Sequence, residues 1–339
     1  MSFAQMIQDA WNKQAKWLIL LRPLSCLYWV GSSFNHKLYQ TGVKAVYTAP
    51  VPVMVIGNIT VGGSGKTPLL IQLIKYLMQR QLKVGVISRG YGGHGPFPAF
   101  VDMSSKPDEV GDEPCLIVQS THVPMAVGAD RKAAIELLLS QYDIDLIISD
   151  DGLQHWALDR QIEWIVLDLN RGLGNEKLLP EGYLREPKSR LETGTVIEHG
   201  VQPQSSLNMH LQAGQPYLLN PSKNAANLFN PQDQFYAVVG IGFPQRFYKT
   251  LESIGIQEFQ CHEFPDHYDY EIEDLQFDDH NPIITTEKDA VKILALLQQY
   301  PDFTTEIWVV PVEAILSQDC YQLLDAQLQQ LGISLSQEI

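Results

Sequence analysis

The chain has 339 residues, more than one compact core usually holds, so two packed units are expected. Hydrophobic residues make up 45% and charged residues 19%, a globular composition that excludes disordered and collagen-like chains. A net charge of −15 argues against nucleic acid as a partner, because a phosphate backbone demands a basic surface.

The N-terminus is helical by pattern, with Phe3, Met6, Ile7, Ala10 and Trp11 recurring at three- and four-residue steps. A denser apolar run, Trp17 to Leu21 and Leu24 to Val30, is broken by Arg22 and Pro23. It is shorter than the roughly 20 apolar residues of a spanning helix and lacks the cleavage pattern of a signal peptide. Residues 1–50 carry Lys13, Lys16, Arg22, Lys37 and Lys44 against one acid, Asp9, a net of +4 that leaves −19 for the other 289 residues. A basic, aromatic end on an acidic protein predicts a membrane-associated segment over 1–48, with Trp11, Trp17, Tyr28 and Trp29 at headgroup depth. The alternative is a surface helix closing over the protein's own core.

From residue 50 the chain alternates apolar strands, at Val53–Asn58, Lys83–Ser88, Val123–Val127, Asp145–Ser149, Glu163–Leu167 and Gly194–Ile197, with helices that include Pro68–Gln79 and Arg131–Tyr142. This predicts an α/β unit over 49–200 with a mostly parallel sheet flanked by helices. The stretch from Gly92 to Pro107 reads as a long loop or hairpin. Polar, turn-rich sequence marks a boundary over 201–230. Beyond it, strands at Phe235–Gly240, Pro282–Thr285 and Thr305–Val310 and helices near Gln245–Ile254 and Lys288–Gln299 predict a smaller α/β unit over 231–339. Four scattered cysteines, Cys26, Cys115, Cys261 and Cys320, form no CxxC pair and read as reduced buried thiols of a cytosolic compartment.

Residues 60–67, Thr60-Val61-Gly62-Gly63-Ser64-Gly65-Lys66-Thr67, match the phosphate-loop pattern GxxxxGK[ST] except that Thr60 replaces the first glycine. An apolar strand precedes them and an amphipathic helix follows. The glycines let backbone N–H groups turn toward phosphate oxygens. Lys66 would reach the β- and γ-phosphates, and the Thr67 hydroxyl would ligate Mg²⁺. The strand ending in Asp150-Asp151 supplies carboxylates of the kind that hold Mg²⁺ beside such a loop, although two adjacent acids also cap turns. Dimeric partitioning ATPases carry Lys just before Gly-Gly, where this chain has Val61. GTPases read guanine with [NT]KxD, and Thr286-Glu287-Lys288-Asp289 has its Lys one place late. ATP-dependent transfer is therefore favoured over a molecular switch.

Eight segments together resemble the tetraacyldisaccharide 4′-kinases of lipid A biosynthesis: VIGNITVGGSGKTP (55–68), SRGYGG (88–93), VGDEP (110–114), GADR (128–131), DDGLQH (150–155), LLPEGYLREP (178–187), FPDHYDY (264–270) and TEKDAVK (286–292). The resemblance implies a P-loop kinase fold and transfer of the ATP γ-phosphate to the 4′-hydroxyl of a tetraacylated disaccharide 1-phosphate, at the cytoplasmic face of the bacterial inner membrane. It implies Asp112 as the base and His267 as its partner, with Lys66 on the phosphates and ATP and Mg²⁺ as cofactors. Thr67, Glu113, Asp150 and Asp151 are the candidates for the metal or its water shell. Arg89, Tyr91, Arg131, Gln154 and His155 are candidates for contacts to substrate or nucleotide. Most have a plainer alternative: a turn acid for Asp112, a surface or core histidine for His267, a surface ion pair for either arginine, packing at a helix start for Gln154 and His155. Arg185 and Glu186 carry no assigned role, and no feature points to a protein partner.

Overall fold

The computed structural model describes residues 3–200, 202–220, 228–279 and 281–336. Helix α1 (Phe3–Asn12), a 3₁₀ turn over Lys16–Leu21 and α2 (Arg22–Gln40) lead into strand β1 (Val53–Gly57). After it come α3 (Lys66–Gln79), β2 (Val84–Ser88), β3 (Ala99–Val101), α4 (Pro107–Val110), α5 (Asp112–Thr121), β4 (Met125–Val127), α6 (Arg131–Gln141), β5 (Leu146–Asp150) and β6 (Ile162–Asp168). Then α7 (Arg190–Thr193), β7 (Thr195–His199) and β8 (Asn208–Ala213) complete a run along one sheet. The chain crosses to a second sheet with β9 (Tyr217–Leu218), β10 (Phe235–Val239), α8 (Pro244–Ser253), β11 (Phe259–Glu263), β12 (Ile283–Thr286), α9 (Glu287–Leu297) and β13 (Ile307–Val310). It returns through β14 (Val312–Leu316) and α10 (Gln318–Gln330).

The first sheet has the order β14-β8-β7-β6-β1-β5-β2-β4-β3, parallel except for the edge pairs β14–β8 and β3–β4. Strands β1, β2 and β5 are buried along their whole length, as expected of central parallel strands covered on both faces. Along β1, Met54 and Ile56 enter a core shared with Leu69, Leu73, Leu77 and Ile117, whereas Val53 and Val55 enter the opposite core with Ala134, Ile135, Leu138 and Leu184. The second sheet, β11-β10-β12-β13-β9, is parallel except for β13–β9.

The expected divisions at 201–230 and 231–339 do not follow sheet membership. Part of the boundary region is strand β8 of the first sheet, and β14 pairs with it from Val312↔Ala213 to Leu316↔Met209. Helix α10 then packs on α3, where the Tyr76 hydroxyl bonds Asp325 and Gln72 bonds the Tyr321 hydroxyl. Residues 201 and 221–227 of that region lie outside the described residues. The two crossings between sheets run side by side, tied by Gly214 N–H donating to Pro311 O at 2.9 Å.

Among the described residues no helix is long and apolar enough to cross a membrane. Helix α2 is instead amphipathic in the inverted sense. Leu24, Leu27 and Phe34 of α2, with Leu20 of the preceding 3₁₀ turn in line with them, point to solvent and are 53, 69, 63 and 76% exposed. The opposite stripe is polar and faces the body. Ser25 Oγ donates to Leu178 O, Tyr28 Oη donates to Arg185 O, and the His36 ring stacks on Trp156 at 3.7 Å. Trp17 and Trp29 are exposed as expected. Trp11 and Tyr28 are half-buried and turned toward the protein: the Trp11 indole donates to Pro180 O, and both residues hold the N-terminal segment to the core. Of the four cysteines expected to be buried, Cys115 and Cys320 are, whereas Cys26 on the solvent side of α2 and Cys261 on the edge strand β11 are exposed.

Candidate active site

The phosphate loop leaves the carboxyl end of β1 and enters α3, where the open edge of a parallel sheet meets a helix N-terminus. Gly65 caps α3 at φ +88°, a left-handed conformation that glycine alone adopts freely, and a Cβ there would lie 2.8 Å from the His199 ring. Asn58 organises the loop from beneath. Its amide nitrogen lies 3.2 Å from Thr60 Oγ1, 3.4 Å from Gly62 O and 3.1 Å from Ser64 Oγ, and its oxygen accepts from Lys66 Nζ at 3.2 Å. Val61 N–H donates to Tyr183 O, and Arg185 N–H to Ile59 O, so the segment 183–185 lies along the loop like an added strand.

The two adjacent acids at the end of β5 have opposite environments. Burial pushes Asp151 up, but Lys66 at 3.5 Å and Arg185 at 2.8 Å outweigh it and hold the carboxyl at about 2. Burial, then Glu113 and Asp151, push Asp150 up to about 7, and its Oδ1 is buried with no hydrogen-bond partner. An orphaned buried carboxylate oxygen beside a phosphate loop is what a divalent cation would satisfy. No group of three or more His, Cys, Asp or Glu among the described residues could hold a metal alone. Magnesium fits such a site, because it keeps several waters and takes phosphate oxygens as ligands.

Across the cleft, Gly111 at φ +100° turns the chain so that Asp112 opens α5, where the helix dipole favours a carboxylate. Asp112 is only 2% exposed, and His267 Nδ1 lies 2.9 Å from its Oδ2 and 3.1 Å from its Oδ1. His267 belongs to the second unit and sits at φ +62°, an uncommon conformation outside glycine. Burial raises the Asp112 carboxyl, but the hydrogen bond from His267 and the charges of Lys288 and Lys292 bring it down to about 2. Tyr91 is exposed and presents its ring edge-on to His267 at 5.0 Å. Glu113 lies 3.4 Å from Lys288 and is close enough to Asp150 to raise it, which places both halves on one cleft.

The other expected contacts divide. Arg131 opens α6 and is buried, its Nη1 donates to Gly128 O at 2.6 Å, and its Nε has no partner. Arg89 is exposed nearby. Gln154 is engaged by the protein itself, donating to Asn58 O and Glu186 and lying 3.3 Å from Arg185 Nη1. Burial, then Arg131 and Arg160, hold His155 down at about 4, so it is neutral at physiological pH.

A family model described as tetraacyldisaccharide-1-P 4′-kinase, LpxK, matches residues 17–329. The chain belongs to the tetraacyldisaccharide 4′-kinase family. This kinase is 48% identical to the tetraacyldisaccharide 4′-kinase of Psychrobacter cryohalolentis over 99% of each chain. It is 46% identical to that of Pasteurella multocida, over 88% of this chain and 90% of the relative. Its fold matches a crystal structure of the "apo" form of LpxK from Aquifex aeolicus in complex with ATP, with a TM-score of 0.75 and 25% identity, over 93% of this chain and 99% of that one.

Sequence reading does not single out several residues of the kinase's cleft. Asn58 is the hub beneath the phosphate loop. Arg171 donates to Val61 O and lies over the Tyr183 ring at 4.4 Å. Arg185 clamps Asp151 with two bonds from Nη1. Arg246, from α8 of the second unit, pairs with Asp168 at the end of β6. Asn58 works on its own loop, whereas Arg171, Arg185 and Arg246 work through partners far away in sequence, and only Asn58 and Arg185, inside quoted motifs, offered any local signal.

Proposed function

We propose how this chain carries out the reaction of its family. It is an ATP-dependent kinase that moves the γ-phosphate of ATP to the 4′-hydroxyl of a tetraacyldisaccharide 1-phosphate, a step of lipid A biosynthesis. The loop amides of 62–67 hold the β- and γ-phosphates, and Lys66 places its charge on the transferring group. Mg²⁺ would be held by Thr67, Asp150 and the phosphates, with Glu113 and Asp151 reached through its water shell. When bound, it neutralises charge on the β- and γ-oxygens.

Asp112 accepts the proton of the 4′-hydroxyl as that oxygen bonds to the γ-phosphorus. The bond from phosphorus to the bridging oxygen breaks, and ADP leaves with its electron pair. A carboxyl held at about 2 is ionised at every physiological pH and so is free to accept a proton. His267 orients it. Arg89 and Arg131 supply cationic donors for a substrate phosphate, and Tyr91 lines the acceptor side.

The observation that carries this reading is the Asp112–His267 pair, which joins the two units across the cleft that also holds Lys66. Closure of the units about the paired crossings at Gly214 and Pro311 would complete the site over its two substrates. The exposed stripe of α2 supports docking of the kinase on the bilayer that holds its acceptor, at the cytoplasmic face of the inner membrane. Withdrawing each CH₂ of a lipid costs about 0.8 kcal/mol, so the enzyme goes to the substrate.

The test is a transfer assay with γ-labelled ATP, Mg²⁺ and the tetraacyldisaccharide 1-phosphate in mixed micelles, read by mass spectrometry of the lipid. The chain should add one phosphate, and Asp112→Asn should bind ATP normally yet transfer slowly. Full transfer by Asp112→Asn would remove Asp112 from the chemistry.

A further inference from the structure

Lys288 stands where helix physics does not want it. It lies in the first turn of α9, one residue after Glu287 and two after the Thr286 cap. A cation there opposes the helix dipole. Its ammonium nevertheless reaches across the cleft, 3.0 Å from Asp266 Oδ1, 3.4 Å from Glu113 Oε1, 3.9 Å from Asp112 Oδ2 and 3.4 Å from His267 Nε2. Burial alone would lower its pKa, but the three carboxylates more than reverse this and leave it firmly charged.

A charged ammonium has three donors and no acceptor. Its approach to His267 Nε2 therefore requires that nitrogen to offer a lone pair. Asp112, an ionised carboxylate, accepts only, so His267 Nδ1 must carry the ring's proton and donate it. The alternative partner of Nε2 is Asp266, which lies farther off at 3.8 Å and is itself occupied by Lys288. Lys292 does not compete for the ring, since it donates to Tyr268 O and pairs with Asp112 and Asp269.

We propose that Lys288 is a positioning residue that keeps His267 neutral with its proton on Nδ1, so that the ring steadies Asp112 without becoming its counter-cation. This rests on the reading of Asp112 and His267 as the acceptor-side pair. Without Lys288 the ring lies between two carboxylates, Asp112 on Nδ1 and Asp266 on Nε2, and binds a second proton. An imidazolium paired to Asp112 draws charge away from the oxygen that must accept the hydroxyl proton.

The experiment uses the full chain in detergent micelles, labelled with ¹⁵N-histidine, with His267→Gln identifying the resonance among nine histidines. The wild-type ring at neutral pH should show one protonated nitrogen, Nδ1, and one bare nitrogen, Nε2. Lys288→Met, which keeps the aliphatic stem, should show both nitrogens protonated. It should also lose about 10- to 100-fold in kcat, the range for removing a partner that orients a functional histidine, with the KM for ATP changed by less than about twofold. Lys288→Arg, a donor-only cation, should restore both the neutral ring and most of kcat. A wild-type ring protonated on Nε2, or a Lys288→Met enzyme with normal kcat per folded molecule, overturns the proposal. Asp112→Asn is assayed in parallel: if it too keeps full kcat, the pair itself has no catalytic part, whereas a slow Asp112→Asn beside a fast Lys288→Met refutes only the role of Lys288.

Discussion

The two sides of the cleft are assembled in different ways. The nucleotide side is built within one sheet, from the turn after β1, the end of β5 and the segment 183–185, and its polar groups are cross-braced by Asn58 and Arg185. The acceptor side is built from two sheets: Asp112 opens a helix of the first, while His267 and Lys288 come from the second, 155 and 176 residues along the chain. A phosphate cradle can be preorganised once and left alone. With Asp112 and His267 in the roles proposed for them, a site that must admit a lipid sugar and then enclose its hydroxyl gains from having the two residues on separate sheets.

Substitutions on the two sides should therefore fail differently. Asp112→Asn is expected to have the largest effect, lowering kcat by about 10²- to 10⁴-fold, the usual worth of a positioned base, with the KM for ATP unchanged. Lys66→Ala should lower kcat by about 10²- to 10³-fold, as for loss of one charge-stabilising group, and weaken nucleotide binding as well. Steady-state kinetics varying ATP separates the two, and equal damage to ATP binding in both would erase the distinction drawn here. Replacing Leu20, Leu27 and Phe34 together by serine should leave both sides intact while reducing flotation with anionic vesicles by about tenfold or more, since each buried CH₂ contributes about 0.8 kcal/mol.

The smallest effect concerns pH. His155 is held near 4, below its ordinary value, so the fold favours the neutral ring. The stability this contributes is complete above the unfolded pKa, about 6.5, and is lost as pH falls through that value toward 4. His155→Gln should flatten the decline of the melting temperature between those limits. An unchanged slope would assign the decline to other groups.

Much of this organisation was legible before any coordinates. The all-apolar run of β1 followed by three glycines and Lys66 reads as a strand feeding a phosphate loop, and the strands and helices expected in the first unit form within a few residues of their positions, although α5, which carries Asp112, was not among them. The return of the chain was not legible. The last expected strand ends at Val310 with nothing read beyond it, yet Pro311 separates β13 from a further strand, β14, and the two lie in different sheets. Strand β14 is an edge with alternate residues exposed, so it carries no strong buried signature. Lys288 was visible as a letter of the segment TEKDAVK and as a misplaced letter of a guanine-reading motif, but with no role, because its meaning lies in groups on other elements.

Helix α2 hangs from residues 178–185, through Ser25 on Leu178 and Tyr28 on Arg185, and the same short stretch runs backbone to backbone with the turn that cradles the triphosphate. Helix α2 and the phosphate loop are thus one continuous piece of architecture. Removing the helix would loosen the loop along with it, so the proposed docking on a bilayer is best tested by repainting the outer surface of the helix while its inner surface stays bolted down.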